Sequence, residues 1–399
     1  MSVLNKNAEK KAKRDEQFTA AAYDPIDTRH HGAIHMPVYQ NSLFAFETYA
    51  QFEQATKDLM HHHVYSRGNN PTVSYLEQKL ADLEEADIAK CFASGMAAIT
   101  AAILSVVGQG DHVVCVNQAY GPTKEFLGSY MTKFGVETTF IDGSKMENWS
   151  AAVRPNTKLL YLESPTSGFF ELQNLRKCAE LAKSIGAATI IDNTWATPLY
   201  QSPLKLGVDL VVHSISKYIG GHSDCIGGVV LGCKKVMEPL CNTEYMLFGG
   251  LMTPQTAALV SKGLRTLPLR MERHEASGLQ VAEFMSSQPY VSRVNHPGLA
   301  SHPQYELGLS QMSGSSSLFS FVSPEPVEKL KEWASRLKYF KIGVSWGGFE
   351  SLVTVNQFIS SEADGRPSTI VRLYVGMENP QDLIADLNQA WQAVSSLSQ

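Results

Sequence analysis

The sequence predicts an α/β protein with a mostly parallel sheet, covered by helices on both faces, and a smaller α+β module at the carboxyl end. The apolar runs HVVCV, TKLLYLES, ATIIDNT and DLVVHSIS are separated mainly by segments of helical spacing. Strands joined by connections of helix length are typical of parallel sheets, and strands buried on both faces read as continuous apolar runs. At about 150 residues per domain, the 399 residues leave room for two or three domains.

The amino-terminal part of the chain is less regular than the part that follows. Residues 1–16 form a charged stretch that we expect to be a partly helical arm. From Phe18 to about His63 the sequence shows no clear period and is interrupted by Pro and Gly, so we expect irregular structure. From Asn70 to Ala86, apolar residues recur at helical spacing and predict an amphipathic helix.

The carboxyl-terminal part mixes helices and strands. The pattern turns helical near Gly249, and we expect one long helix over residues 268–285. SLFSFVS and STIVRLYVG then read as strands, and a final helix follows them. We therefore predict an amino-terminal arm and inter-subunit segment over residues 1–63, an α/β domain over residues 64–260 and an α+β domain over residues 261–399.

Composition and charge argue against two classes of protein. The 34 Lys and Arg against 39 Asp and Glu give a net charge of −5, whereas a dedicated nucleic-acid binder usually shows a basic excess. No apolar run approaches the ~20 residues that a membrane-spanning helix needs, and the amino-terminal segment lacks the apolar core of a signal peptide. We expect a soluble, cytoplasmic protein that binds neither nucleic acid nor membranes.

Neither the cysteines nor the histidines predict a metal site. The six cysteines form no C-x-x-C motif, and we expect all of them to be reduced. His61, His62 and His63 are adjacent, so they cannot all face one ion, and we see no carboxylate placed with them. We expect a solvated or subunit-facing loop there.

The residues that could carry chemistry follow three of the apolar runs. Lys217 comes shortly after DLVVHS, and Asp192 ends ATIID. Gly95 lies in a turn between an apolar strand and a helix, whose N-terminus can bind an anion. Ligands of parallel sheets bind at the carboxyl ends of the strands. Although a single lysine at a strand end is more often a surface residue, the three features together indicate pyridoxal 5′-phosphate (PLP), which needs an amine, an acid and a phosphate site.

Motifs along nearly the whole chain resemble the Cys/Met-metabolism family of fold-type-I PLP enzymes, which includes cystathionine lyases and synthases and methionine γ-lyase. The matching stretches include PVYQNSLFAF, YSRGNNPTVSYLEQKLADLE, ASGMAAI, IDNTWATPL, HSISKYIGGHSD, SWGGFESL and IVRLYVGME. The resemblance implies an aspartate-aminotransferase-like fold, PLP as the cofactor of the α/β domain, and a free amino acid as the small-molecule substrate. It also implies that the protein is an enzyme that cleaves carbon–sulfur bonds by elimination.

The resemblance assigns the cofactor-binding residues. Lys217 would bind PLP covalently and act in catalysis, Asp192 would pair with the ring nitrogen, and Tyr120 would stack on the ring and manage a proton. The phosphate would be bound by backbone N–H groups and hydroxyl groups of Gly95, Met96, Ser214 and Ser216.

The resemblance also implies a shared active site. Tyr65 and Arg67 match a Y-x-R pair that reaches the phosphate of a neighbouring subunit's cofactor, with Tyr65 also near the substrate. This implies a homotetramer of two dimers. Arg372 matches the arginine that binds the substrate α-carboxylate bidentately, which suits a planar guanidinium. Ser345 and Trp346 would lie beside the substrate.

Features that separate the subfamilies point in two directions. Ser167 stands where many members have Asn, and Trp346 where many γ-acting members have Leu; both resemble the bacterial cystathionine β-lyases. By contrast, YSRGNNPT is typical of γ-acting enzymes, and Val344 replaces a tyrosine often found in β-lyases.

We therefore expect a cystathionine β-lyase of transsulfuration and methionine biosynthesis, which releases homocysteine, pyruvate and ammonia. The alternative is a γ-acting enzyme: a cystathionine or methionine γ-lyase, or a γ-replacing synthase or sulfhydrylase. A second alternative is a regulatory PLP-binding protein without turnover. A transaminase fits the motifs less well.

Overall fold

The structure, a computed structural model, describes residues 16–359 and 367–396. It begins with a short helix, α1 (residues 16–22), so the arm predicted for residues 1–16 lies almost wholly outside the described residues. The helices that follow are α2 (Tyr49–Lys57), α3 (Pro71–Glu84), α4 (Gly95–Leu104), α5 (Gly121–Glu125), α6 (Met146–Ala152), α7 (Leu175–Ile185), α8 (Thr197–Tyr200), α9 (Lys234–Leu240), α10 (Met246–Phe248), α11 (Pro254–Arg265), α12 (Leu267–Ser286), α13 (Tyr305–Gln311), α14 (Val327–Ser335) and α15 (Pro380–Ser395). Short 3-10 segments lie at Thr28–His30, Met131–Phe134 and Pro203–Leu206, and π-helical turns at Phe126–Tyr130 and Cys241–Tyr245.

Helix α2 lies in the stretch for which the sequence predicted irregular structure, so that prediction was wrong here. The helix begins with a capping box. The backbone N–H of Gln51 donates to the Thr48 hydroxyl, and the backbone N–H of Thr48 donates to the Gln51 side chain, both at 3.3 Å. Such reciprocal bonds satisfy two N–H groups that the first turn leaves without partners. These two bonds define the start of α2, although its apolar residues show only a weak helical period.

Seven strands form the central sheet: β1 (Ile88–Phe92), β2 (His112–Val116), β3 (Glu137–Ile141), β4 (Thr157–Glu163), β5 (Ala188–Asp192), β6 (Leu210–Ser214) and β7 (Gly228–Gly232). They lie in the order β1-β7-β6-β5-β4-β2-β3, and β7 runs in the direction opposite to the other six. The four apolar runs form β2, β4, β5 and β6, so the mostly parallel α/β sheet is confirmed. The sequence did not predict β7, GVVLG, because glycine is disfavoured in strands.

A second sheet of five strands follows: β8 (Arg293–Asn295), β9 (Leu318–Ser323), β10 (Lys341–Ile342), β11 (Leu352–Ile359) and β12 (Pro367–Tyr374). The order is β10-β11-β12-β9-β8, and the pairs are antiparallel apart from β10-β11. The predicted long helix corresponds to α12 and the final helix to α15. The predicted α+β character of this part is confirmed, whereas the domain boundaries near residues 63 and 260 stay predictions.

The register of the central sheet positions the site. Leu160, Ile190 and Val211, in the middle of β4, β5 and β6, are fully buried, so these strands are fixed in the core. Helix α4 packs against β6 and β7, and α7 packs against β4 and β5. In the parallel ladder, Glu163 at the end of β4 lies opposite Asp192 at the end of β5. Polar residues that end these strands therefore meet at one edge of the sheet.

Candidate active site

A cavity of about 850 Å³ opens at this edge, and residues of the second sheet form part of its wall. Most of the residues that the sequence predicted for the site line it: Gly95, Met96, Tyr120, Asp192, Ser214, Ser216, Lys217, Ser345, Trp346 and Arg372. Tyr65 and Arg67 are not among the lining residues. The fold thus brings together side chains that are far apart in the sequence.

Lys217 follows β6 and points its amine at two residues of the segment before β11. Its Nζ donates a hydrogen bond to the Ser345 hydroxyl and lies 5.6 Å from the centre of the Trp346 ring. Ser345 has a left-handed backbone, with φ of +81°, which is costly for a non-glycine residue and is often found at functional sites. Burial, followed by the positive charge of Arg372, lowers the pKa of Lys217 to about 8, while Asp192 opposes this shift.

Asp192 is held by the residues that follow β5. One of its oxygens, Oδ1, accepts the backbone N–H of Thr194 at 3.0 Å and also the Thr194 hydroxyl. The same Thr194 oxygen accepts the backbone N–H of Ser214 at 2.8 Å, which links the ends of β5 and β6. Burial raises the pKa of Asp192, whereas the Thr194 hydrogen bonds and the charges of His213 and Lys217 lower it. A cationic partner in the cavity would stabilise the carboxylate.

The turn before α4 leaves room for an anion. The Ser94 side chain accepts the backbone N–H of Ala97 at 3.1 Å and so caps the helix. The N–H groups of Gly95 and Met96 belong to the first turn and have no acceptor within the helix. A Cβ on Gly95 would lie 2.9 Å from the Ser214 hydroxyl oxygen, so only glycine lets the turn approach β6 this closely.

The hydroxyl of Ser216 is already engaged in the loop that follows Lys217. It accepts the backbone N–H of Gly227 at 3.0 Å and donates to the Gly227 carbonyl at 3.3 Å. This pair of bonds ties the loop to the start of β7. The geometry therefore gives Ser216 a contact with the protein in addition to its predicted contact with phosphate.

Arg372 and Tyr120 occupy different walls of the cavity. Arg372 lies on β12, and burial lowers the pKa of its guanidinium, while Tyr120 raises it. Among the described residues no carboxylate forms a salt bridge with Arg372, so an anionic substrate group could pair with it. Tyr120 precedes α5, and its side chain is 46% exposed.

Glu163 also lines the cavity, and the sequence analysis did not predict it as a site residue. It ends an apolar run just as Asp192 does, and that was the signal available in the sequence. Burial, followed by the charge of Asp192, raises the pKa of Glu163. The cavity therefore holds two acids at neighbouring strand ends.

Tyr65 and Arg67 lie outside this cavity. The Tyr65 side chain is 51% exposed, and Arg67 Nη1 donates to the backbone oxygen of Met246 at 2.5 Å. A single chain therefore does not bring the pair to its own Lys217. Their predicted contact with a neighbouring subunit's cofactor stays a prediction.

The histidine run differs from the sequence expectation in one respect. Asp58 Oδ1 lies 2.8 Å from His61 Nδ1, so a carboxylate does accompany the run. Within residues 16–359 and 367–396, no three His, Cys, Asp or Glu side chains are grouped in a way that could hold a metal ion. In the same part of the chain, no helix has the length and apolar character needed to cross a membrane.

The residues present fit PLP. The Asp192 carboxylate lines the cavity and suits a pyridinium, and Lys217 provides an amine. A side chain on Gly95 would collide with Ser214, so glycine keeps this turn close to β6. A family model described as Cys/Met metabolism PLP-dependent enzyme matches residues 19–392. The chain belongs to this family.

Known members of the Cys/Met-metabolism family resemble the chain along almost its whole length. An L-methionine gamma-lyase of Pseudomonas putida is 37% identical over 93% of this chain and 95% of its own. A cystathionine beta-lyase of Lactococcus lactis subsp. cremoris is 35% identical over 90% of this chain and 94% of its own. The crystal structure of metB from Corynebacterium glutamicum superposes with a TM-score of 0.86 at 34% identity, covering 95% and 98% of the two chains.

Membership of the family confirms several predictions. The chain has the fold of type I PLP enzymes, PLP is its cofactor, and it is a PLP-dependent carbon–sulfur lyase of Cys and Met metabolism. A regulatory protein without turnover is thereby set aside. The similar proteins include β-acting and γ-acting lyases. They therefore support the reaction class but do not distinguish cleavage at Cβ from cleavage at Cγ.

Proposed function

We propose that the protein is a cystathionine β-lyase that converts L-cystathionine into homocysteine, pyruvate and ammonia. The observation that carries this proposal is the indole of Trp346 beside the Lys217 amine, 5.6 Å from the ring centre. The indole packs against the Tyr218 ring, with ring centres 5.4 Å apart, so its position beside the amine is fixed. A tryptophan at this position resembles the bacterial cystathionine β-lyases, whereas many γ-acting relatives have Leu.

Arg372 and Lys217 would bind and deprotonate the substrate. Arg372 would bind the α-carboxylate through two parallel N–H bonds. When bound, PLP supplies an electron sink for the Cα–H bond. The Lys217 amine, whose pKa is lowered to about 8, can accept the Cα proton near neutral pH. Ser345 accepts a hydrogen bond from this amine and would orient it.

Asp192 and Tyr120 would complete the elimination. The Asp192 carboxylate would hold the proton on the ring nitrogen, and Tyr120 would lie against the ring. The Cα–H and Cβ–S bonds break in the reaction, and either Tyr120 or Lys217 would protonate the departing sulfur. The remaining three-carbon enamine takes up water to give pyruvate and ammonia. Gly95, Met96, Ser214 and Ser216 would bind the phosphate.

The complete enzyme would be a cytoplasmic homotetramer with shared sites. Tyr65 and Arg67 would extend into the site of a neighbouring subunit, which their absence from their own cavity supports. The segment over residues 1–63 would lie between subunits, with residues 64–260 forming the PLP-binding domain and residues 261–399 the α+β domain. Exposed apolar side chains in that first segment, such as Ile34 and Leu43, support an inter-subunit position.

A γ-acting lyase is the second candidate. It is favoured by the names of several similar proteins, since an L-methionine gamma-lyase and a cystathionine gamma-lyase match at 37% and 36% identity. Removal of a Cβ proton is the additional step that γ-elimination requires. The same lysine and arginine could support both reactions.

Substrate comparison tests the proposal. The holoenzyme would be incubated separately with L-cystathionine and with L-methionine, and the keto acid would be identified. We expect pyruvate from cystathionine and little 2-oxobutyrate from methionine. Lys217→Ala is the control and should release neither. Trp346→Leu should raise the proportion of 2-oxobutyrate formed from cystathionine, and an unchanged product ratio would remove the role given to Trp346.

A further inference from the structure

Glu163 is a buried acid of the cavity that none of the roles above uses. Its side chain is 6% exposed, and it ends β4 opposite Asp192 at the end of β5. Two carboxyl groups so close disfavour each other's ionised form. The assigned chemistry requires one acid at the ring nitrogen, so the second acid needs another explanation.

Three hydrogen bonds connect Glu163 to two loops. Oε2 accepts the backbone N–H of Tyr120 at 2.7 Å. Oε1 accepts the backbone N–H of Ser167 at 2.8 Å and the Ser167 hydroxyl at 2.6 Å. All three partners donate, and a carboxylate is the side chain whose two oxygens can accept from all of them. Glu163 therefore joins the loop after β2 to the loop after β4.

The direction of the Tyr120 ring depends on this connection. The residue occupies the N-cap of α5 without a capping bond from its own side chain. Its ring is about half exposed, so few surrounding side chains hold it in place. The bond from its backbone N–H to Glu163 fixes the main chain from which the ring projects into the cavity.

The electrostatic surroundings argue against Glu163 as a simple packing residue. Burial and the nearby Asp192 raise the pKa of Glu163, whereas the hydrogen bonds from Ser167 and Tyr120 stabilise its ionised form and lower the pKa. Glutamine would avoid the cost of a buried charge, but its amide N–H₂ would face one of the three donors. The carboxylate thus keeps contacts that an uncharged side chain of the same shape would lose.

We propose that Glu163 is a positioning residue, which holds Tyr120 over the cofactor site and fixes Ser167 in the cavity wall. The proposal rests on the proposed role of Tyr120. It does not depend on whether the bond is broken at Cβ or at Cγ.

The test compares the variants Glu163→Gln and Ser167→Ala with the control Glu180→Gln, an exposed residue of α7. Each holoenzyme is measured for PLP affinity, kcat, KM and melting temperature. The visible absorbance of the bound cofactor is also titrated against pH without substrate. We expect Glu163→Gln to weaken PLP binding and to lower kcat, each by about tenfold, because hydrogen bonds that hold Tyr120 and Ser167 are lost. Ser167→Ala should have a smaller effect, and the control none.

The pH titration separates positioning from a general effect on folding. Glu163→Gln removes a carboxyl group whose ionised form favours the protonated form of a neighbouring basic group, so the midpoint of the absorbance titration should move to lower pH. The proposal is wrong if Glu163→Gln behaves like Glu180→Gln. It is equally wrong if the variant has a lower melting temperature while kcat, PLP affinity and the pH midpoint of the absorbance titration stay unchanged. A wild-type enzyme that releases no pyruvate from cystathionine would refute the proposed function, whereas the spectra would still decide on Glu163.

Discussion

At the residue scale, Lys217 lies in surroundings that make its amine a weaker base than a free lysine. Burial, then the charge of Arg372, lowers its pKa from 10.5 to about 8. Only the uncharged amine can attack the aldehyde of PLP. We therefore predict that PLP capture by the apoenzyme becomes faster as pH rises, with a midpoint near 8. Stopped-flow absorbance over the neutral and alkaline range measures this midpoint.

Arg372→Met provides a second measurement of the same effect. Removing a positive charge near Lys217 favours the lysine cation. The pH midpoint of PLP capture should therefore move to higher pH. Arg336→Met is a matched control, because Arg336 pairs with Glu332 on the protein surface. It should leave the midpoint unchanged. A wild-type midpoint at the 10.5 of an ordinary lysine would contradict this account of the cavity.

The sequence predicted the site residues that follow clearly apolar strands. It missed Glu163, whose importance depends on the register between neighbouring strands. Lys217 and Asp192 follow apolar runs, so their position at the sheet edge could be inferred. Glu163 also ends such a run. Its importance comes from lying opposite Asp192 and accepting bonds from Tyr120 and Ser167. A single sequence shows neither the pairing with Asp192 nor these hydrogen bonds.

At the element scale, the N-terminus of α4 depends on a close approach to β7. A Cβ on Gly228 would lie 2.3 Å from the Ser94 carbonyl oxygen and 2.8 Å from the Cα of Gly95. We predict that Gly228→Ala displaces the turn, because backbone atoms cannot yield as a flexible side chain can. It should destabilise the fold by about 1–3 kcal/mol, as overpacked cores do. PLP affinity should fall with it.

Thermal unfolding and PLP titration measure these two effects, with Gly108→Ala as the control. The nearest atom to a Cβ on Gly108 would be 3.9 Å away, so this variant should change stability by less than about 0.5 kcal/mol. Gly228→Ala with wild-type melting temperature and wild-type PLP affinity would show that the turn tolerates a side chain. The phosphate site would then need another explanation.

Four strands buried on both faces were predictable, whereas the buried but glycine-containing β7 and the less apolar elements were not. The runs that form β2, β4, β5 and β6 are continuous and apolar because helices cover them. Strand β3, ETTFI, lies at the edge of the sheet and alternates less clearly. Helix α2 depends on the Thr48 capping box, a local signal that apolar periodicity does not contain.

At the scale of the whole molecule, the shared site can be tested with hybrid oligomers. Subunits carrying Lys217→Ala would be mixed by co-expression with subunits carrying Arg67→Ala. If Arg67 serves the neighbouring site, one site of each hybrid dimer has an intact Lys217 and an intact Arg67. We predict that the hybrid recovers activity that neither parent variant has.

The opposite result has an equally clear meaning. If Arg67 acted in its own subunit, every site of the hybrid would lack either Lys217 or Arg67, and activity would not return. Arg336→Ala in place of Arg67→Ala is the control, since that exposed residue should leave its subunits fully active. A hybrid no more active than its parents would therefore remove the inter-subunit roles proposed for Tyr65 and Arg67.

The most direct test of the central claim uses L-cystathionine with ¹³C in its three-carbon half, followed by NMR of the products. β-Elimination beside Trp346 and Lys217 places the label in pyruvate and releases unlabelled homocysteine. That is the result we predict. Label in cysteine, together with unlabelled 2-oxobutyrate, would mean that the bond is broken at Cγ, and it would contradict the proposal of a cystathionine β-lyase.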